Sequence, residues 1–187
     1  LARSAIKDTV PQCDMVVSEN REFFPIYRDM GAKRIEYVDG GGATWPFRRL
    51  ENTEKKYDIG VYGYPSERRE AIVKQLGEKF DIATMCDPDQ EKVNLFINQC
   101  RIMLNLHAWD YKFKEWRIGE CMAAGACVVS ERLPEGHSYN QDCFVQTDDL
   151  EGTLAELLDD DKRREEIGKR AMRWVWTRHT LLQNVEK

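Results

Sequence analysis

Short apolar runs alternate with helix-length segments along most of the chain. DIGVYG (58–63), DIATM (81–85), RIMLNLH (101–107) and ACVVS (126–130) read as strands, and CFVQ (143–146) as a further one. SERREAIVKQLGEKF (66–80), QEKVNLFINQC (90–100) and WRIGECMAAG (116–125) read as the helices between them, with Ser66 placed as an N-cap. Two more helices are expected over about 149–158 and 160–186, the second begun by Asp159-Asp160-Asp161, whose carboxylates suit the positive end of the helix dipole. RIMLNLH lacks polar alternation, as a strand covered on both faces must. Strands alternating with helices predict a Rossmann-like α/β fold, a parallel sheet with helices on both faces, because right-handed crossovers place them there.

The first fifty residues follow a shorter version of the same rule. DMVVS (14–18) and KRIEYVD (33–39) read as strands flanking a helix from about Glu19 to Met30, with Gly31 suited to its C-terminus. Asp39-Gly40-Gly41-Gly42-Ala43-Thr44-Trp45-Pro46 then marks a turn or hinge, and ENTEKKY (51–57) is polar and linker-like. A boundary is therefore expected near 45–56, dividing a strand-helix-strand remnant (1–50) from a main domain (51–187). The chain opens on Leu1 rather than Met, within a helical or loop stretch, so further chain is expected upstream.

Composition narrows the function classes. A chain of 187 residues with 42% hydrophobic and 33% charged positions can bury a core, and its net charge of −5 lacks the broad cationic field of a sequence-independent nucleic-acid binder. No apolar stretch nears the roughly 20 residues that span a bilayer, and LARSAIKDTV lacks the apolar centre of a secretory signal. A soluble, cytoplasmic protein is expected. Cys13, Cys86, Cys100, Cys121, Cys127 and Cys143 never stand at C-x-x-C spacing, so free thiols are expected and no metal site is read.

In an open parallel sheet, ligands bind beyond the carboxyl ends of the strands where strand order reverses. Three loops meet that condition. Gly63-Tyr64-Pro65-Ser66-Glu67-Arg68 enters a helix whose amides face a phosphate in many folds, yet it carries neither G-x-G-x-x-G nor a P-loop. His107 to Trp116 is aromatic and basic, with Lys112 and Lys114, and Glu131 to Asn140 carries Pro134, Gly136, His137 and Tyr139. At helical spacing Arg117, Glu120 and Cys121 share one side, while Ala123, Ala124 and Gly125 allow close packing on the sheet. A glutamate there can present its carboxylate to a diol, and an arginine beside helix amides can bind a diphosphate.

RIGECMAAGACVVSE (117–131) resembles the donor-binding half of the GT-B glycosyltransferases, especially the group-1 branch that includes spore-maturation-protein-like enzymes. The LNLH strand, the Trp174–Thr180 segment, CDMVVSEN (13–20) and GAKRIEYVDGG (31–41) extend the resemblance from about residue 13 to 187. It implies that Glu120 holds the donor ribose, that Gly125 marks the turn before the next strand, and that 1–50 is the tail of an acceptor-side domain. It also implies a nucleoside-diphosphate-sugar substrate, no cofactor and no metal. Many retaining members carry a second glutamate eight positions earlier, where this chain has Lys112; Arg117 stands where the spore-maturation-like branch has an arginine.

The expected donor set is thus Glu120, Arg117, Gly125, Ser66, Arg68, His107 and Lys112. Plainer readings stand beside it: Arg117 in a surface ion pair, Ser66 as a cap, His107 as a hydrogen-bonded strand end, Lys112 and Arg68 as solvated charges. The leading function is transfer of a hexosyl-type sugar from a nucleoside-diphosphate donor to an unidentified acceptor. The rival is a non-catalytic nucleotide-binding or protein-interaction module that retains the half-fold, with an exposed domain remnant offering an apolar face for self-association.

Overall fold

A computed structural model describes residues 2–18, 21–37, 45–108, 116–135, 137–180 and 182–183. Lys112 with the rest of 109–115, the glycines at 40–42 and Gly136 lie outside the described residues. The chain divides into two compact units, one running to Gly40 and the other spanning Gly41–Gln183.

In the first unit, α1 (Ala2–Thr9) leads through a 3₁₀ turn to β1 (Val16–Ser18), which pairs in parallel with β2 (Ile35–Tyr37). The intervening α2 (Phe24–Asp29) is entered through a 3₁₀ turn at Arg21–Phe23. Gly31, at φ +89°, ends it in the left-handed conformation that glycine adopts without penalty.

The second unit holds β3 (Tyr57–Tyr62), β4 (Ile82–Met85), β5 (Cys100–Asn105), β6 (Cys127–Ser130) and β7 (Val145–Gln146). They form one parallel sheet in the order β4-β3-β5-β6-β7. α3 (Glu67–Leu76), α4 (Gln90–Gln99) and α5 (Trp116–Ala123) are the crossovers, and α6 (Leu150–Asp159) and α7 (Asp161–Arg178) close the unit.

The two faces explain the unbroken apolar strands. Ile59, Ile102, Leu104 and Val129 pack with Leu76 of α3 and Leu154 and Leu157 of α6. Met103 and Val128 point the other way, onto Phe96 and Ile97 of α4, Met122 of α5 and Ala171 and Val175 of α7. Burying a side chain of this size contributes roughly 1.5–3 kcal/mol, so alternation between two cores stabilises the sheet on both sides. Polar caps fix the helix starts: Ser66 Oγ accepts from Arg69 N at 3.3 Å, and Asp160 Oδ1 from Arg163 N at 2.9 Å, as the acidic run predicts.

Two boundaries differ from the expectation. α7 ends at Arg178 rather than near 186, because Thr180 N donates to Gln183 Oε1 and Gln183 N to Thr180 Oγ1, a reciprocal capping box that starts afresh after the helix. The segment expected as boundary and linker belongs to the second unit. Phe47 is buried in its core, Arg48 N donates to Asn94 Oδ1 at 3.0 Å, and Leu50 N donates to Asn98 Oδ1 at 2.9 Å. Side-chain amides on α4 thus bind a backbone stretch that composition alone marks as free.

α5 ends in a Schellman motif: Ala126 N bonds Cys121 O, Gly125 N bonds Met122 O, and Gly125 sits at φ +73°. α7 lies so close to this turn that a Cβ on Gly168 would stand 2.3 Å from the Gly125 carbonyl oxygen. Alanine is favoured over glycine inside a helix by about 1 kcal/mol, but overpacking against backbone costs about 1–3 kcal/mol, and the clash wins. Gly168→Ala is expected to lower the thermal midpoint by about 2–8 °C. An unchanged or raised midpoint would show that α7 does not depend on this approach.

Candidate functional site

The chain leaves β3 to one side for β4 and returns on the other for β5, so strand order reverses between β3 and β5. Parallel sheets open their ligand crevice at the carboxyl ends flanking that reversal. Gly63 ends β3 at φ +126°, its amide donating to Met85 O at 2.9 Å. A Cβ there would lie 2.6 Å from an Arg117 guanidinium nitrogen, so the glycine both makes the turn and leaves room for that side chain. Arg117, in the first turn of α5, donates from Nη2 to Asn105 Oδ1 at 3.3 Å and Leu106 O at 3.4 Å. Asn105 in turn donates to Ser130 Oγ at 3.0 Å.

One helical step along, Glu120 is half-buried and receives a hydrogen bond from the Tyr62 hydroxyl at the end of β3. Loss of water contact disfavours the carboxylate and pushes the Glu120 carboxyl up to about 7. The structure therefore brings Glu120 and Arg117 together with Tyr62, Gly63 and Asn105 at the strand-order reversal.

Beside them, three strand ends meet on one carboxylate. Arg68 donates to Glu131 from both Nη1 (2.9 Å) and Nη2 (2.5 Å), and Glu131 Oε2 also accepts the His107 amide at 2.7 Å. Burial raises the Glu131 carboxyl, but the hydrogen bonds from Arg68 and His107 outweigh it and hold the group below its ordinary value. Arg69, next in sequence, is buried and donates to Leu106 O at 2.9 Å and Tyr64 O at 2.7 Å. The His107 ring meets the Arg132 carbonyl at 3.0 Å.

Of the expected residues, Ser66 caps α3 at this edge, Arg68 is engaged by Glu131, and His107 is engaged by the chain after β6. Lys112 lies outside the described residues. Gly125 is not part of the cluster: it sits between α5 and β6, at the amino edge of the parallel sheet, where its φ of +73° serves the turn. The sequence reading singled out the loop that Glu131 opens without giving that carboxylate a role, and overlooked Tyr62, Arg69 and Asn105. Tyr62 and Glu131 each adjoin a strand's carboxyl end, the same rule that selects the three loops, so their positions were the available signal. All six cysteines are free, and burial pushes Cys100 and Cys127 up to about 12, which leaves those thiols protonated. Among the described residues, no cluster of His, Cys, Asp or Glu has metal-holding geometry, and no helix is long and apolar enough to cross a membrane.

Residues 47–187 match the family model described as glycosyl transferase-like. The chain belongs to this glycosyl transferase-like family. Its fold is that of the GT-B glycosyltransferases. Anabaena HepE, solved in complex with UDP-glucose, superposes with a TM-score of 0.71 at 10% identity, covering 98% of this chain and 65% of that one. Sucrose-phosphate synthase from Thermosynechococcus elongatus gives a TM-score of 0.65 at 13% identity over 98% of this chain and 59% of its own. An uncharacterized protein of Acanthamoeba polyphaga mimivirus is 42% identical over 60 residues, 32% of this chain and 21% of that protein. The chain thus spans 59% of the synthase and matches only 21% of the viral protein.

The raised Glu120 carboxyl has a signed consequence for stability. Between the ordinary value of 4.5 and about 7 the folded form holds a proton that the unfolded form has lost, so stability falls as pH rises through that window. Above it the full penalty, on the order of 3 kcal/mol, is present. Glu120→Gln is expected to gain stability relative to the parent chain from pH 5 to pH 8, read as denaturant midpoints at each pH. A difference that stays constant across the window would show an unshifted carboxyl.

Proposed function

We propose that this chain is the donor-binding portion of a glycosyltransferase of the spore-maturation-protein-like branch, taking a nucleoside-diphosphate sugar and passing its hexosyl group to an acceptor without a metal ion. The observation that carries this reading is Glu120, half-buried at the strand-order reversal and adjoined by Arg117 across the ends of β3 and β5. A carboxylate in that position accepts hydrogen bonds from the two hydroxyls of a ribose. A guanidinium at the start of α5 meets a diphosphate where the helix amides also favour negative charge. As the sugar departs, charge develops on the diphosphate, and fixed donors in a water-poor crevice stabilise that charge more than they stabilise the ground state. The first unit, in this reading, is the tail of an acceptor-side domain.

The Tyr62 hydroxyl bears on how Glu120 works. It donates to one Glu120 oxygen, leaving the other for the diol. Arg68 reaches a diphosphate only by giving up part of its hold on Glu131, which assigns it a secondary share of the binding.

Thermal unfolding with UDP, GDP, ADP, TDP and their sugar conjugates tests the reading. A ligand at about 100 times its Kd stabilises by about 2.7 kcal/mol, a midpoint rise of about 5–10 °C at this size. One base is expected to give the rise, and Glu120→Ala to abolish it. A panel without effect at millimolar concentration would favour the interaction-module reading, as would binding that Glu120→Ala leaves intact.

A further inference from the structure

At the amino edge of the sheet, opposite Glu120, lies a cavity of about 480 Å³. That volume falls within the range of small-molecule sites. Four cations line it: Lys55 just before β3, Arg101 at the start of β5 (side chain 34% exposed), Arg164 on α7, and Arg49 beside the α5–β6 turn (37% exposed). The carboxylates that line it, Glu51, Asp161 and Glu165, stand at the rim with side chains 80%, 82% and 51% exposed. The Arg164 side chain by contrast is 9% exposed.

Four cations and three carboxylates line the cavity, so its lining carries one net positive charge. Lys55 Nζ donates to the carbonyls of Asn98 and Cys100, both at 2.8 Å, and an ammonium has a third donor. Arg164 donates to the Leu157 and Leu158 carbonyls and Arg101 to the Leu158 carbonyl, so neutral oxygens fix much of their geometry. Asp161 serves Arg101 and Arg164 at once, and Arg101 also pairs with Asp58. Arg49 meets Glu165 at 3.6 Å and Glu51 at 3.9 Å, beyond hydrogen-bonding distance. Burial lowers the proton affinity of Lys55, and the charges of Arg49 and Arg164 add to the effect in smaller measure. Gly125, whose φ of +73° makes the turn, lies against the Arg49 stem, since a Cβ there would stand 3.6 Å from Arg49 Cδ, an ordinary contact distance.

We propose that this cavity is a second anion site, taking a compact polyanion of the inorganic diphosphate class. Arg49 is its adjustable donor, and Lys55, Arg101 and Arg164 form its fixed cationic wall. The site stands independently of the donor reading, since it shares no residue with the Glu120 crevice.

Isothermal titration of the full chain with inorganic pyrophosphate, at ionic strength held constant with sodium chloride, tests it. Saturable binding that depends on Arg49 is expected in the parent chain. Arg49→Gln should weaken it by about tenfold or more, because a hydrogen bond to a charged group is lost. Glu165→Gln removes a rim charge that repels the anion and should tighten binding by up to about fivefold. In Arg117→Gln, where the opposite crevice has lost its own diphosphate ligand, the binding that depends on Arg49 should remain. Absence of saturable binding, an unaltered affinity in Arg49→Gln, a weakened one in Glu165→Gln, or loss of binding in Arg117→Gln, which would place the anion in the opposite crevice, would each overturn the proposal.

Discussion

The carboxylate of Glu131 holds the crevice together. It receives both arms of the Arg68 guanidinium from the start of α3 and the His107 amide from beyond β5, while its own backbone continues from β6. Three loops that a parallel sheet would leave independent are therefore referenced to one group. Arg69 adds a second tie from the same helical turn, through the carbonyls of Leu106 and Tyr64. A bidentate, partly buried pair loses much of its Coulomb gain to desolvation, so its importance lies in geometry more than in net stability.

The rest follows from covering a sheet on both faces. Ile102 and Leu104 turn to one core and Met103 to the other, which fixes β5 in register and sends its polar end, Asn105, to the edge beside Ser130. α7 packs closely on the turn that ends α5 and leads into β6. The two edges of the sheet then differ in character. At the carboxyl edge a glutamate is half-buried beside a tyrosine and an arginine; at the amino edge cations line a cavity with carboxylates at its rim.

Much of this was legible in the sequence, for identifiable reasons. Apolar runs bounded by Gly, Ser and Asp located every strand of the main sheet to within a few residues, and Ser66 and Asp160 announced helix starts that the structure confirms. Arg117 and Glu120 stood out because their residue types and spacing fall on one side of a helix at a strand's carboxyl end. What sequence hid was long-range pairing. Arg68 and Glu131 lie 63 positions apart, and nothing local distinguishes Arg68, which binds a carboxylate, from Arg69, which binds carbonyls. Asn94 and Asn98 read as ordinary polar helix residues, although they hold residues 48–50 onto the main unit. Gly125 entered the donor set through the family resemblance, as the turn before the next strand; it makes that turn, and one helix carries it to the opposite edge from Glu120. The early end of α7 was readable, since Thr180 and Gln183 have capping-box spacing.

Amide hydrogen exchange with and without saturating UDP-, GDP- and ADP-sugars tests most directly whether the donor lands where the sheet topology places it. Slower exchange is expected over residues 62–70 and 116–122 with one of these ligands. The same ligand should give little protection there in Glu120→Ala. Unaltered exchange in both segments, with protection confined to other parts of the chain, would contradict the account.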